Sequence, residues 1–332
     1  MNTHDLIVIG AGPTGIAIGA EARKAALDVL LIDRGPLTAA ILNFPTYMTF
    51  FTTRDKLEIA GIPLTTPEDK PTRQQALLYY RAVAAKYELP LALHEDVLDI
   101  VSEGHEFIVR SKFENEVRTR RARAVALATG YFKDPLPFTI PGAELPWVHR
   151  YYRDPYRHFN EDVVLIGGGN SACEAALDLW RNGARRVTLV VRDKELKGGV
   201  KYWVRPDVEN RIQEGSIFAH FNSVVRAIHN QPRRVEIHDA SGHSMLIPTD
   251  AVYALIGFTP DVEFERRCGI VVDPATLVPM FNPETCESNV AGLYIAGTIQ
   301  AGRDTGRIFI ENSREHAPKI VAHLKQRMAV GS

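Results

Sequence analysis

The sequence predicts an α/β protein built from two parallel-sheet domains, the second inserted into the first. Three observations predict it. Strand, glycine-rich turn, helix and second strand follow one another over residues 5–34, and the same order recurs over residues 163–192. A late apolar run, Gly292-Leu-Tyr-Ile-Ala-Gly297, then supplies a strand that returns to the first domain. Each copy has the layout of a Rossmann-like, three-layer dinucleotide-binding unit. The chain leaves the first domain at the proline-rich connector that starts at Pro135, and returns at Gly257-Phe-Thr-Pro260. Residues 1–133 and 258–332 are expected to form the discontinuous domain, and residues 134–257 the inserted one.

In the first copy, Leu6–Ile9 reads as a buried parallel strand that breaks at Gly10-Ala-Gly12-Pro13-Thr14-Gly15. Gly10 permits the tight turn, Gly12 lets the backbone approach a pyrophosphate, and Gly15 lets helix and strand pack closely. The helix opening at Pro13-Thr14 offers free N–H groups and a partial positive charge to phosphate. Val29–Ile32 forms the second strand and ends on Asp33-Arg34, where a carboxylate can accept hydrogen bonds from a ribose diol. A GxGxxG pattern set between strand and helix, with an acid closing the next strand, is a specific signal.

Bulk composition narrows the class. A chain of 332 residues, 45% hydrophobic and 24% charged, can bury two modest cores. Its formal net charge of −1 offers nucleic acid no basic field. No apolar run approaches the roughly 18–20 residues needed to span a bilayer, and the chain enters its first strand too early for a signal peptide. Cys173, Cys268 and Cys286 lack CxxC spacing, which argues against a disulfide framework, a zinc site or a built-in dithiol. A cytoplasmic protein without nucleic-acid or membrane partners is expected.

Between the copies, the aromatic, hydroxyl-rich stretch Asn43–Thr53 follows the second strand of a nucleotide fold, so Tyr47 and Thr49 are candidates to line the cofactor's ring. Thr72 and Gln75 form a capping box that opens a helix running to about Tyr87. Residues 96–112 alternate as two antiparallel strands split at Glu103-Gly104, and Val125-Ala-Leu-Ala-Thr129-Gly130 reads as a buried strand ending in a turn. His149, in the connector, receives no role.

The second copy runs from Val163–Ile166 through Gly167-Gly-Gly169-Asn170-Ser171-Ala172 into an amphipathic helix, and its next strand ends on Arg192. A guanidinium there pairs with a 2′-phosphate through two N–H groups, whereas a carboxylate would repel it. With Lys194 and Lys197 nearby, this site should prefer NADPH to NADH. A short helix through Gln213, a small strand meander over residues 216–256 and a long last helix from about Gly306 to Lys325 complete the expected elements.

Two nucleotide folds joined in this way resemble the thioredoxin-reductase-like flavoproteins. That resemblance implies FAD in the discontinuous domain, held by Gly10, Gly12, Gly15 and Asp33. The Val97 backbone would meet the adenine, and Thr129, Gly130 and Gly297 would line the flavin. The N-terminus of the last helix, near Arg307–Ile308, would aim N–H groups at the flavin O2. Gly167, Gly169, Asn170, Ser171, Ala172 and Arg192 would hold NADPH. Two departures matter: no CxxC follows Gly169, and Thr298 replaces the acid after the Ala-Gly turn.

Closer still, the segments Phe44–Phe51, Lys70–Arg73, Gly169–Ala172, Lys201–Trp203, Gly292–Gly297 and Ile308–Asn312 resemble bacillithiol disulfide reductases over nearly the whole chain. Hydride would pass from NADPH to the flavin, and the electrons onward to the disulfide of a low-molecular-weight thiol. Many members carry cysteine where this chain has Thr14, so the catalytic residue is unassigned. The runner-up is a ferredoxin/flavodoxin–NADP reductase with a redox-protein acceptor, followed by a flavin monooxygenase and by a redox-sensing FAD/NADPH-binding module. Related architectures imply a homo-oligomer, commonly a homodimer.

Overall fold

The computed structural model describes residues 3–132 and 135–330. The chain divides into two compact units, one of Met1–Leu42, Met48–Asp134 and Thr259–Ser332, the other of Asn43–Tyr47 and Pro135–Phe258.

The first unit opens with β1 (Thr3–Ile9), α1 (Pro13–Lys24) and β2 (Val29–Asp33), the two strands pairing in parallel with Val8 opposite Leu31. Both strands lie inside the sheet, which explains their unbroken apolar runs. Gly19 gives α1 its close approach, since a Cβ there would come within 2.8 Å of Leu31. Next comes α2 (Arg73–Lys86), which has the expected capping box: Thr72 Oγ1 accepts from Gln75 N–H at 3.3 Å, and Gln75 Oε1 from Thr72 N–H at 2.8 Å.

The sheet continues with β3 (Leu91–Leu93), β4 (Glu95–Glu103), β5 (Glu106–Phe113) and β6 (Glu116–Leu127), in the order β3-β2-β1-β6-β5-β4. The strand expected at Val125 is the end of a twelve-residue one. Its first half pairs antiparallel with β5, while its buried second half lies parallel to β1. Polar alternation followed by an apolar run is what such a divided environment requires. Glu95, 1% exposed, receives hydrogen bonds from Arg118, Arg120 and Ser111, which tie the start of β4 to its neighbours.

The second unit repeats the plan with β7 (Val148–His149), β8 (Asp162–Ile166), α3 (Asn170–Arg181), β9 (Arg186–Val190), α4 (Arg205–Gln213) and β10 (Phe218–His220). A meander of β11 (Val224–Asn230), β12 (Arg233–His238) and β13 (Ser244–Pro248) precedes β14 (Ala251–Ala254). The main sheet is parallel throughout, in the order β10-β9-β8-β14-β7. Residues 216–256 are therefore not one meander. Phe218–His220 and Ala251–Ala254 belong to the parallel sheet, and only β11–β13 stand apart.

After residue 258 the chain adds α5 (Val262–Arg267) and β15 (Leu293–Ile295) to the first unit, β15 pairing parallel with the second half of β6. The long last helix expected from Gly306 is two helices, α6 (Ile310–Ser313) and α7 (His316–Val330). Pro318 explains the break. Proline is tolerated only in a helix's first turn, so the helix that contains it has to begin within a few residues before it.

Candidate functional site

Two glycine turns are built alike, one in each unit. Gly10 takes a φ of +113° and donates its N–H to Ile32 O at 2.7 Å; Gly167 takes +139° and donates to Val190 O at 3.0 Å. A Cβ on Gly10 would collide with the Ala128 carbonyl, and one on Gly167 with the Leu255 carbonyl. Gly15 is packed onto the Gly10 carbonyl, and Ala172 fills the equivalent place in the second unit, fully buried. Gly12 and Gly169 are different. No atom lies within 4 Å of a Cβ on Gly12, and only Lys197 Cδ, at 3.8 Å, approaches one on Gly169. Those glycines face open space.

Gly12 and Gly169 are also the N-caps of α1 and α3, and neither helix has a side-chain cap. The first N–H groups of both helices, at Thr14-Gly15 and Asn170-Ser171-Ala172, are left without the partner that Thr72 gives α2. An uncapped helix start behind an open glycine fits a pyrophosphate. Asp33 braces the first turn: Oδ2 accepts from Ala11 N–H and Oδ1 from Gly35 N–H, both at 2.7 Å. Each oxygen keeps a second lone pair for a ribose hydroxyl. Arg34 follows at the surface. Val97 sits opposite Ser111 where β4 bulges, and His94 N–H donates to Gly35 O at 3.2 Å, which sets the start of β4 beside the Asp33 end of β2.

In the second unit Arg192 lies two residues beyond β9, with its side chain 74% exposed and 3.8 Å from Asp193. Lys197 donates its N–H to Gly168 O at 2.9 Å, pinning its loop to the glycine turn. Asn170 has a role the sequence did not reveal. Its Oδ1 accepts from Lys201 N–H and its Nδ2 donates to Gly199 O, each at 2.9 Å, so it clamps the same loop. Only an alignment of loop and turn in space exposes that pairing.

A third cluster gathers within the first unit. Gly130, at φ +64°, follows Thr129 after β6, and Gly297, at φ +79°, follows β15. Thr14 Oγ1 would lie 3.1 Å from a Cβ on Gly297 and makes a 3.1 Å hydrogen bond with Ser313 Oγ. Gly297 N–H donates to His316 Nδ1 at 3.0 Å. Thr298 Oγ1 stands 3.7 Å from a Cβ on Gly130, and Tyr131 OH donates to Thr305 O at 2.7 Å.

The expected donors near Arg307–Ile308 change character. They precede a four-residue helix rather than opening a long one, and Arg307 N–H is already given to Asp304 O at 3.1 Å. Of the Asn43–Thr53 stretch, Tyr47 groups with the second unit, its ring edge-on to Tyr156 at 5.8 Å, while Thr49 stays in the first, bridging Thr72.

All three cysteines are buried and free. Burial pushes the Cys173 and Cys268 thiols up to about 12 and raises that of Cys286 as well. Among the described residues no group of three or more His, Cys, Asp or Glu could hold a metal, and no helix is long and apolar enough to cross a membrane.

A two-unit nucleotide-binding architecture of this kind defines a class, and residues 7–297 match the family model described as pyridine nucleotide-disulphide oxidoreductase: the chain belongs to that family and is an oxidoreductase. It is 36% identical over 322 residues, 97% of each chain, to the bacilliredoxin reductase Bdr of Bacillus subtilis strain 168. Two solved structures agree. The bacillithiol disulfide reductase Bdr of Bacillus cereus superposes with a TM-score of 0.94 at 34% identity, over 98% of this chain and 100% of that one. The Staphylococcus aureus protein gives 0.91 at 35%, over 98% and 99%.

Proposed function

We propose that the chain is an NADPH- and FAD-dependent reductase of a low-molecular-weight thiol disulfide, of the bacillithiol disulfide reductase type. The overall reaction converts NADPH, a proton and one disulfide into NADP⁺ and two thiols. One observation carries the reading: two open, uncapped glycine turns of the same build, one braced by Asp33 and the other followed by Arg192. The cofactors together supply hydride transfer and a two-electron store.

The chain's own residues orient and select. In the FAD domain (residues 1–133 and 258–332), Gly10, Gly12, Pro13, Thr14 and Gly15 take the FAD pyrophosphate, while Asp33 and Arg34 take its ribose end and Val97 the adenine. Thr129, Gly130, Gly297 and the Ile308 amide face the flavin, and Thr49 belongs to the loop that borders it. In the NADPH domain (residues 134–257), Gly167, Gly169, Asn170, Ser171 and Ala172 take NADPH, with Arg192 and Lys197 on the 2′-phosphate side. No enzyme thiolate relays the electrons, because no cysteine is accessible and Thr14 cannot form a mixed disulfide. A cytoplasmic homo-oligomer is the form that accompanies this reading, and sedimentation velocity tests its assembly.

Anaerobic stopped-flow absorbance tests the function. Mixing with NADPH should bleach the flavin at roughly 1 per second or faster, and bacillithiol disulfide should restore the colour. Bleaching without restoration would remove the disulfide from the proposal and leave ferredoxin or flavodoxin as the acceptor.

A further inference from the structure

We propose that His316 is a positioning residue that holds the Gly297 turn in the shape the flavin needs. The inference rests on the reading that the first unit binds FAD, and it adds a residue that reading did not contain. Ala296 N–H makes the last ladder bond of β15, to Leu127 O at 2.8 Å. At Gly297 the chain turns into the left-handed region, φ +79°, which swings the next N–H away from the sheet. That amide is the first donor after the ladder, and it finds His316 Nδ1 at 3.0 Å. Gln300 Nε2 closes the turn from the other side by donating to Ile295 O at 2.7 Å.

Pro318 makes this possible. It has no N–H and tolerates only the first helical turn, so α7 starts at His316 and sets the imidazole at the helix end that faces the turn. Because Nδ1 accepts, the ring proton sits on Nε2 and the imidazole is neutral. Burial, with Lys319 adding to it, pushes His316 down to about 4, which keeps it neutral at physiological pH. The same turn is packed from the front by Thr14, whose Oγ1 would lie 3.1 Å from a Gly297 Cβ. Losing the acceptor frees the amide that ties this turn to the last helix.

Two variants separate acceptor from bulk. Asparagine can present an oxygen near the Nδ1 position, whereas leucine fills space without accepting. FAD dissociation constants and visible circular dichroism of the bound flavin should show His316→Leu weakened by about tenfold with an altered spectrum, and His316→Asn within a few-fold of the parent. Equal behaviour of the leucine variant and the parent overturns the proposal, and so does an equal loss in both variants. If the leucine variant does not fold, nitrogen NMR of labelled histidine in the parent holoprotein decides: Nδ1 must resonate as a bare acceptor, and a protonated Nδ1 ends the idea. Failure of the parent to bind FAD would instead overturn the cofactor reading itself.

Discussion

Thr14 Oγ1 and Ser313 Oγ lie 3.1 Å apart, joining the first glycine turn to the last residue of α6. A hydroxyl pair, not a thiol, thus stands at the first glycine turn. The nearest consequence concerns chemistry without cysteine. Alkylation of the folded enzyme with iodoacetamide at pH 7–8 should leave NADPH-dependent turnover within about twofold, since buried thiols with raised pKa values do not react as thiolates. Mass spectrometry should find Cys173, Cys268 and Cys286 unmodified. Inactivation that tracks modification of any one of them would refute the thiol-free route.

Gly10 and Gly12 should fail in opposite ways. Gly10→Ala meets the Ala128 carbonyl at a φ of +113°, so it should cost about 3 kcal/mol or more and show as a large loss of thermal stability. Gly12→Ala sits at φ −80° with nothing within 4 Å, so the apoprotein should melt within about 0.5 kcal/mol of the parent. Its FAD affinity should nonetheless fall about tenfold or more, because the methyl fills the pyrophosphate's approach. Unchanged FAD binding in Gly12→Ala would move the pyrophosphate elsewhere.

Arg192 carries the cofactor preference. Arg192→Glu should weaken NADPH about 10- to 100-fold relative to NADH, the range expected for losing a charge-assisted contact to a 2′-phosphate. The ratio of the two KM values reads this out, and the cofactor assignment fails if that ratio stays put.

Glu265 is a buried carboxyl, 1% exposed, with neither oxygen hydrogen-bonded. Burial pushes it up to about 8, with Asp261 adding and Arg266 opposing. A folded pKa above the unfolded value near 4.5 means its proton-linked stability is complete below the unfolded pKa and is lost as pH rises through about 8. Glu265→Leu should remove that slope and raise stability by about 1–4 kcal/mol at pH 8 and above. Urea melts between pH 5 and 9 measure both. Parallel stability curves for parent and variant would contradict the assignment.

The sequence by itself determined both glycine turns, the Thr72 cap and the strand ends at Asp33 and near Arg192, because each depends on neighbours within a few residues. A positive-φ glycine, an uncapped helix start or a capping box is decided locally and leaves its mark in residue type. Only the tertiary structure decided the rest. β6 belongs to two environments that no window of the sequence separates, and Phe218–His220 joins a sheet through a partner some thirty residues earlier. Pro318 was the local signal for the broken last helix, but its effect on Gly297 came from bringing His316 against a turn nineteen residues away. Asn170 and Thr14 likewise looked like ligand contacts, and their hydrogen bonds to Lys201 and Ser313 depend on which distant segments the packing brings within reach.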